Sequence, residues 1–267
     1  MHNEILTIGK ITIHGYGLMI GIGFLLAVIL GMYRAKKKGL EQEAVLDIAI
    51  YAILAGFLGG KMLYVIVEWK RFVADPWSVL GNAGFVVYGG IITGVLAGYI
   101  YTRIKKLSFA KYFDLVMPEI ALAQGFGRIG CFLAGCCYGR ETDSWLGVTF
   151  PQGSLAPSGV KLLPTQLFMS GGDFLIALLL ILYSRKNKVD GNVGAGYLIL
   201  YGVGRFAIEY LRNDSRGNVG ILSTSQFISL FIVAIGVGLI VWNTKRAGKA
   251  AKNVEASSKE KKEAHKE

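Results

Sequence analysis

Charge is scarce in this chain. Asp, Glu, Lys and Arg make up only 18% of its 267 residues, against 53% apolar ones. That balance leaves too little polar surface to cover one core, so an ordinary water-soluble domain is excluded and much of the surface is expected to face lipid. Histidine is scarcer still: His2 and His265 sit near the ends, and His14 stands just ahead of Gly15-Tyr16-Gly17. No HExxH helix, Ser-His-Asp order or phosphate-loop glycine pattern occurs, which removes the common soluble hydrolase and nucleotidase mechanisms. Alternating segments of about ten residues are also missing, so strands are not expected to do the spanning. The first ten residues lack the basic cluster of a cleaved signal peptide, and the first apolar stretch is too long for one.

Long apolar runs are abundant. A bilayer core of about 30 Å needs about 20 residues of helix, and seven stretches qualify: 11–33, 44–67, 84–102, 112–138, 164–184, 193–210 and 219–244. Helices satisfy their own backbone hydrogen bonds in lipid, so the expected fold is an all-α integral membrane protein of seven helices over 1–244. Of the 36 glycines, several stand four apart: Gly17 and Gly21, Gly56 and Gly60, Gly90 and Gly94, Gly94 and Gly98. That spacing suits close helix packing.

Basic residues alternate along the connections. The first, third and fifth carry eleven, among them Arg34, Lys105 and Lys186; the others carry seven, including Lys10, Lys70, Arg140, Arg212 and Arg216. Eight more lie beyond residue 244. Excess positive charge marks the cytoplasmic side, so the N-terminus is expected outside and the C-terminus inside. The tail 245–267, rich in Lys and Glu, has too few bulky apolar residues to fold alone and is expected to be disordered. With no basic patch on a soluble domain, the net charge of +11 does not point to nucleic acid.

Lys61, Arg128 and Arg205 remain inside the apolar stretches. A charge at mid-bilayer costs at least ~2.5 kcal/mol unless paired or hydrated. Glu209 stands four residues after Arg205 and so shares its helix face, with Arg212 three residues further on. Asp114, Glu119 and Asp173 are candidate partners for Lys61 and Arg128. For Lys61 an ion pair and a functional role weigh equally. Arg128 stands in Gly-Phe-Gly-Arg-Ile-Gly-Cys-Phe (125–132), where three glycines are expected to break the helix and line a polar cavity. A planar guanidinium there suits a phosphate or carboxylate. Cys131, Cys136 and Cys137 follow within seven residues; the spacing is not a usual zinc pattern, and apolar packing is the expected role, with no metal. Tyr88 places a phenol beside the flexible pair Gly89-Gly90.

Taken in order, these residues resemble the prolipoprotein diacylglyceryl transferase family over most of the chain. Tyr16-Gly17-Leu18 resembles its early Tyr-Gly motif, and Tyr88-Gly89-Gly90 occupies the place of its His-Gly-Gly. Gly127-Arg128-Ile129-Gly130 through Gly139-Arg140 resembles its long signature. Pro164-Thr165-Gln166-Leu167, then Arg205-Phe206 with Glu209 and Arg212, then Ser225-Gln226 complete the series. The resemblance implies transfer of the diacylglyceryl group of phosphatidylglycerol to the thiol of a lipoprotein-precursor cysteine in the bacterial cytoplasmic membrane, without a cofactor. It implies Arg128, Arg205, Tyr88 and Glu209 as catalytic residues, and Arg128, Tyr16, Gly89, Gly90, Gln166 and Arg212 as substrate-binding ones. The chain departs from the family where Cys131, Ala134 and Cys136 replace two Asn and a Glu, where Tyr88 replaces His, and where Met169 replaces Glu. Action on another lipid or acceptor, or anionic-lipid transport or reception without cleavage, are the alternatives.

Overall fold

The computed structural model describes residues 4–8, 11–213 and 217–263; Lys10 and Arg216, used above for orientation, lie outside these, as do His2, His265 and Lys266. In chain order the elements are β1 (Glu4–Ile8), β2 (Ile11–His14), α1 (Gly15–Lys37), α2 (Gln42–Val67), α3 (Trp69–Ala74), α4 (Pro76–Gly81), α5 (Val87–Ile104), α6 (Phe109–Ala134), β3 (Val148–Thr149), β4 (Lys161–Leu162), α7 (Thr165–Lys186), α8 (Asn192–Ile208), β5 (Asn218–Val219), β6 (Leu222–Ser223) and α9 (Thr224–Glu263). The strands pair as three separate antiparallel hairpins.

Four helices are long and apolar enough to cross a membrane: Gly15–Lys37, Gln42–Val67, Thr165–Lys186 and Thr224–Ala250. The other three expected stretches fall on α5, α6 and α8. There α5 is rich in Gly and Tyr, α6 carries Lys111, Asp114, Glu119 and Arg128, and α8 has only 17 residues, so length and apolarity alone do not single them out. Two ends differ from expectation. Ile11–His14, placed in the first span, is strand β2 paired with β1, because alternating Ile and Thr favour a pleated ribbon. The tail expected to be disordered continues α9 to Glu263. Its Ala, Lys and Glu are good helix formers, and an apolar helix already formed spares them the cost of nucleation.

The chain divides into two units, Val28–Tyr112 and the remainder. In the smaller unit α2 lies against α5 with almost no side chain between them. A Cβ on Gly90 would come 2.9 Å from the carbonyl oxygen of Gly56, and one on Gly94 would come 3.2 Å from that of Ala52. Gly59 faces Thr93, whose hydroxyl donates to the Ala55 carbonyl at 2.7 Å. The Gly56/Gly60 and Gly90/Gly94 pairs therefore serve packing, as expected from their spacing, whereas Gly17 and Gly21 meet nothing within 4 Å. Lys61 belongs to this unit. Its ammonium donates to the Asn82 carbonyl at 2.8 Å, and to the Asn82 side-chain oxygen and the Gly84 carbonyl at 3.3 Å each, tying α2 to the turn before α5. The structural role prevails for this lysine.

In the larger unit α6, α7 and α8 enclose a core of Met117, Ala121, Ala177, Leu180, Val193 and Tyr197. The Asp114 carboxylate accepts from the amides of Gly191 and Gly194 at 2.7 and 2.8 Å, satisfying donors at the start of α8 and placing negative charge at its positive end. The connection between α6 and α7, which the apolar pattern leaves blank, folds around its own small core of Phe150, Ala156 and Leu162.

Replacing Gly59 by Ala would drive a methyl group into Thr93, and overpacking of this kind costs about 1–3 kcal/mol. Gly21→Ala, which meets open space, should stay within ~0.5 kcal/mol of wild type. Unfolding followed by circular dichroism in detergent should separate the two; equal stabilities would show that α2 and α5 do not depend on this contact.

Candidate functional site

The glycines around Arg128 do not break α6, which is continuous through Ala134. Gly125 and Gly130 make room instead, while Gly127 meets nothing within 4 Å. An added Cβ on Gly125 would come within 2.5 Å of the Phe174 ring of α7, one on Gly130 within 3.1 Å of the Tyr16 carbonyl of α1, and one on Gly23 of α1 within 2.7 Å of Phe126. Tertiary contact thus offsets the helix cost of glycine, about 1 kcal/mol each. Ser170 completes the seam by donating to the Gly125 carbonyl at 2.9 Å.

Arg128 projects from this closely approached stretch, half-buried. Its charge acts on Tyr16 of α1, on Cys131, on buried Asp173 of α7 and on Tyr197 of α8. Among the described residues no carboxylate or hydroxyl forms an ion pair or hydrogen bond with its guanidinium, Asp173 included. Arg205 is the opposite case. Its Nη1 stands 2.6 Å from Glu209 Oε2, with both side chains about nine-tenths buried, and its Nη2 donates to Ser225 Oγ of α9 at 2.7 Å. Ser223 donates its hydroxyl to the other Glu209 oxygen at 2.9 Å and its amide to Gln226 Oε1 at 3.1 Å. The expected pairing of Arg205 with Glu209 is present, then, and the turn into α9 locks it from the other side.

Arg212 does not extend the helix face of Arg205. α8 ends at Ile208, a single 3-10 turn covers Glu209–Leu211, and Arg212 is extended, bridging to Gly139. The Arg140 amide donates to the Leu211 carbonyl at 2.9 Å, and the Gly139 amide to the Leu163 carbonyl at 2.9 Å. Gly139 is wedged between these segments, so that a Cβ there would lie 2.7 Å from the Leu211 oxygen. The Arg212 side chain reaches Met169 Sδ at 3.7 Å and is within bonding reach of Cys137. Gln166 is fully buried; its Nε2 donates to the Cys136 carbonyl at 2.7 Å, leaving Oε1 without a partner among the described residues. Thr165 donates to the Cys137 carbonyl at 3.0 Å. These two bonds and the Ser223 contacts are positioning interactions that no sequence pattern announced, since the first two join α7 side chains to backbone 28 and 30 residues away and Ser223 meets the Glu209 and Gln226 side chains from a turn.

Tyr16, Arg128, Gln166, Arg205, Glu209 and Arg212 all lie in the larger unit. Tyr88, Gly89 and Gly90 lie in the smaller one, with Tyr88 half-exposed on the first turn of α5 and Gly89 buried against the Gly59 backbone.

Helices apolar enough for a bilayer, holding one guanidinium neutralised by a carboxylate and one with no ion pair or hydrogen bond among the described residues, define a membrane-type helical protein. The profile described as prolipoprotein diacylglyceryl transferase matches residues 3–242, and the chain belongs to that family. It is 51% identical over 236 residues to the Clostridium tetani phosphatidylglycerol–prolipoprotein diacylglyceryl transferase, covering 88% of this chain and 94% of that one. A second relative of that name, from Clostridium perfringens, is 48% identical with 88% and 91% covered. The Clostridioides difficile protein is 36% identical with 90% and 94% covered.

Removing the charge of Glu209 as Glu209→Gln would leave Arg205 buried without its counter-ion, a loss of about 3 kcal/mol for a buried pair. Chemical denaturation in detergent should show it. An unchanged midpoint would mean that Ser225 and water suffice for Arg205.

Proposed function

We propose that this protein transfers the diacylglyceryl group of phosphatidylglycerol to the cysteine thiol of lipoprotein precursors. The observation that carries this reading is Arg128: a half-buried guanidinium with no ion pair or hydrogen bond among the described residues, in a chain whose family relatives bear that activity in their names. In the reaction the acceptor cysteine gives up its proton, and its sulfur attacks the diacylglyceryl carbon bonded to the phosphate oxygen. That carbon–oxygen bond breaks, glycerol phosphate leaves with the electron pair, and a thioether remains. Arg128 binds the phosphodiester and stabilises the charge growing on the leaving phosphate. Arg205, largely neutralised by Glu209, lends a weaker field and with Glu209 fixes the end of α8. Arg212 and Tyr16 border the same region, while Gln166 supports it from behind. Tyr88 is the candidate base, a role its side chain fills as the phenolate, and Gly89 and Gly90 hold the first turn of α5 that bears it against α2.

The purified protein, given phosphatidylglycerol vesicles and a precursor peptide, should yield a thioether-linked peptide and glycerol phosphate. Arg128→Lys keeps the charge but loses the paired donors, and should lower turnover by at least ~10². Tyr88→Phe should abolish it if the Tyr88 phenolate takes the proton. Full activity of either variant removes that residue from its role, and no product from wild type with several anionic lipids sinks the assignment.

We further propose seven spans, with the N-terminus outside and the C-terminus cytoplasmic, in a bacterial cytoplasmic membrane. The supports are the alternation of basic residues and the helices lying over all seven apolar stretches. A fluorescent reporter that matures only in the cytoplasm, fused after residue 267, should be bright; a dark fusion with an active alkaline phosphatase counterpart would reverse the orientation.

A further inference from the structure

The α6 C-terminus gathers the three thiols. Gly135, at φ +73°, sends its amide to the Phe132 carbonyl at 3.2 Å, while the Cys136 amide reaches back to the Cys131 carbonyl at 3.1 Å. These two bonds make a Schellman cap, a motif that brings the second residue after the cap over the third residue before it. Here those two positions are Cys136 and Cys131. Cys137 then adopts φ +62°, a left-handed conformation uncommon outside glycine. The carbonyls of Cys136 and Cys137 are held from α7 by Gln166 and Thr165. With the backbone so fixed, all three sulfurs lie within 4.8 Å of one another, and none is in a disulfide.

We propose that Cys131, Cys136 and Cys137 form a three-thiolate site for a soft d10 cation such as zinc. Sulfur donors alone select such a cation over magnesium or calcium. Zinc–sulfur bonds of about 2.3 Å in tetrahedral geometry set sulfurs about 3.8 Å apart, within side-chain rotation of the separations present. Three thiolates with a divalent cation carry one net negative charge. Arg212 beside Cys137, and the charge of Arg128 acting on Cys131, offset it. A disulfide would use two sulfurs and strand the third, whereas a cation engages all three. The site borders the region proposed for the transfer chemistry and shares Arg212 and Gln166 with it, but the thiol geometry it rests on does not depend on that reading.

The test is metal content of the full chain, purified in detergent under reducing conditions, equilibrated with zinc chloride and passed over a chelating resin. Wild type should retain about one zinc per chain, and the triple variant C131S/C136S/C137S should retain only background. Cobalt in place of zinc should give sulfur-to-cobalt charge-transfer absorption in wild type, a readout that does not need any variant to fold. Monodisperse wild type that holds no zinc and shows no cobalt–thiolate band would overturn the proposal. So would zinc retained undiminished by the triple variant, or a disulfide within the trio persisting under reducing conditions. Lipidation activity measured on the same samples tells failure of this site apart from failure of the transferase assignment.

Discussion

A guanidinium taken out of water has to be answered by something negative or polar, and much of the larger unit is arranged by how its arginines meet that demand. Arg205 is answered within the chain. Glu209, one turn on, supplies the charge, and Ser225 takes a second donor. Because Glu209 is in turn held by Ser223, the demand reaches through the end of α8 into the turn that starts α9. Arg128 has no ion pair or hydrogen bond among the described residues, and Gly125 and Gly130 beside it let α7 and α1 come close to its helix. One arginine builds the frame, and the other is the one proposed to take the substrate phosphate.

The apolar runs fall on α1, α2, α5, α6, α7, α8 and α9, four of which are long and apolar enough to cross a membrane, because burial in lipid demands long continuous apolar segments, which leave a plain mark in composition. What they could not locate was anything decided by pairing. Ile11–His14 reads as part of an apolar run, yet its partner β1 makes it a strand. The glycines near Arg128 read as helix breakers, because from the chain alone a glycine that loosens a helix and one that admits a neighbour look the same. The folded segment between α6 and α7 has no period at all, and its core of Phe150, Ala156 and Leu162 exists only in three dimensions.

For the site, the i,i+4 spacing was enough to find Arg205 with Glu209, since a helix fixes that geometry locally. It misled for Arg212, where the helix had already ended and an extended residue turned toward Gly139. Gln166 was found by resemblance, but its structural task, gripping the Cys136 carbonyl, depends on two segments thirty residues apart. The cysteines read as apolar filler because Cys131, Cys136 and Cys137 match no linear metal pattern. Their convergence is written in Gly135, whose left-handed conformation closes the cap.

The glycine seam between α2 and α5 bears on how such a protein is made. The contacts between these helices run from Asp47 to Tyr101, a short stretch of chain, so little entropy is lost in closing the connection between them. Both helices are complete at Ile104, before α6 begins. As the chain emerges from the ribosome, this pair can zip before α6 exists, giving the nascent protein a finished hairpin while the residues that bear Arg128 are still being translated.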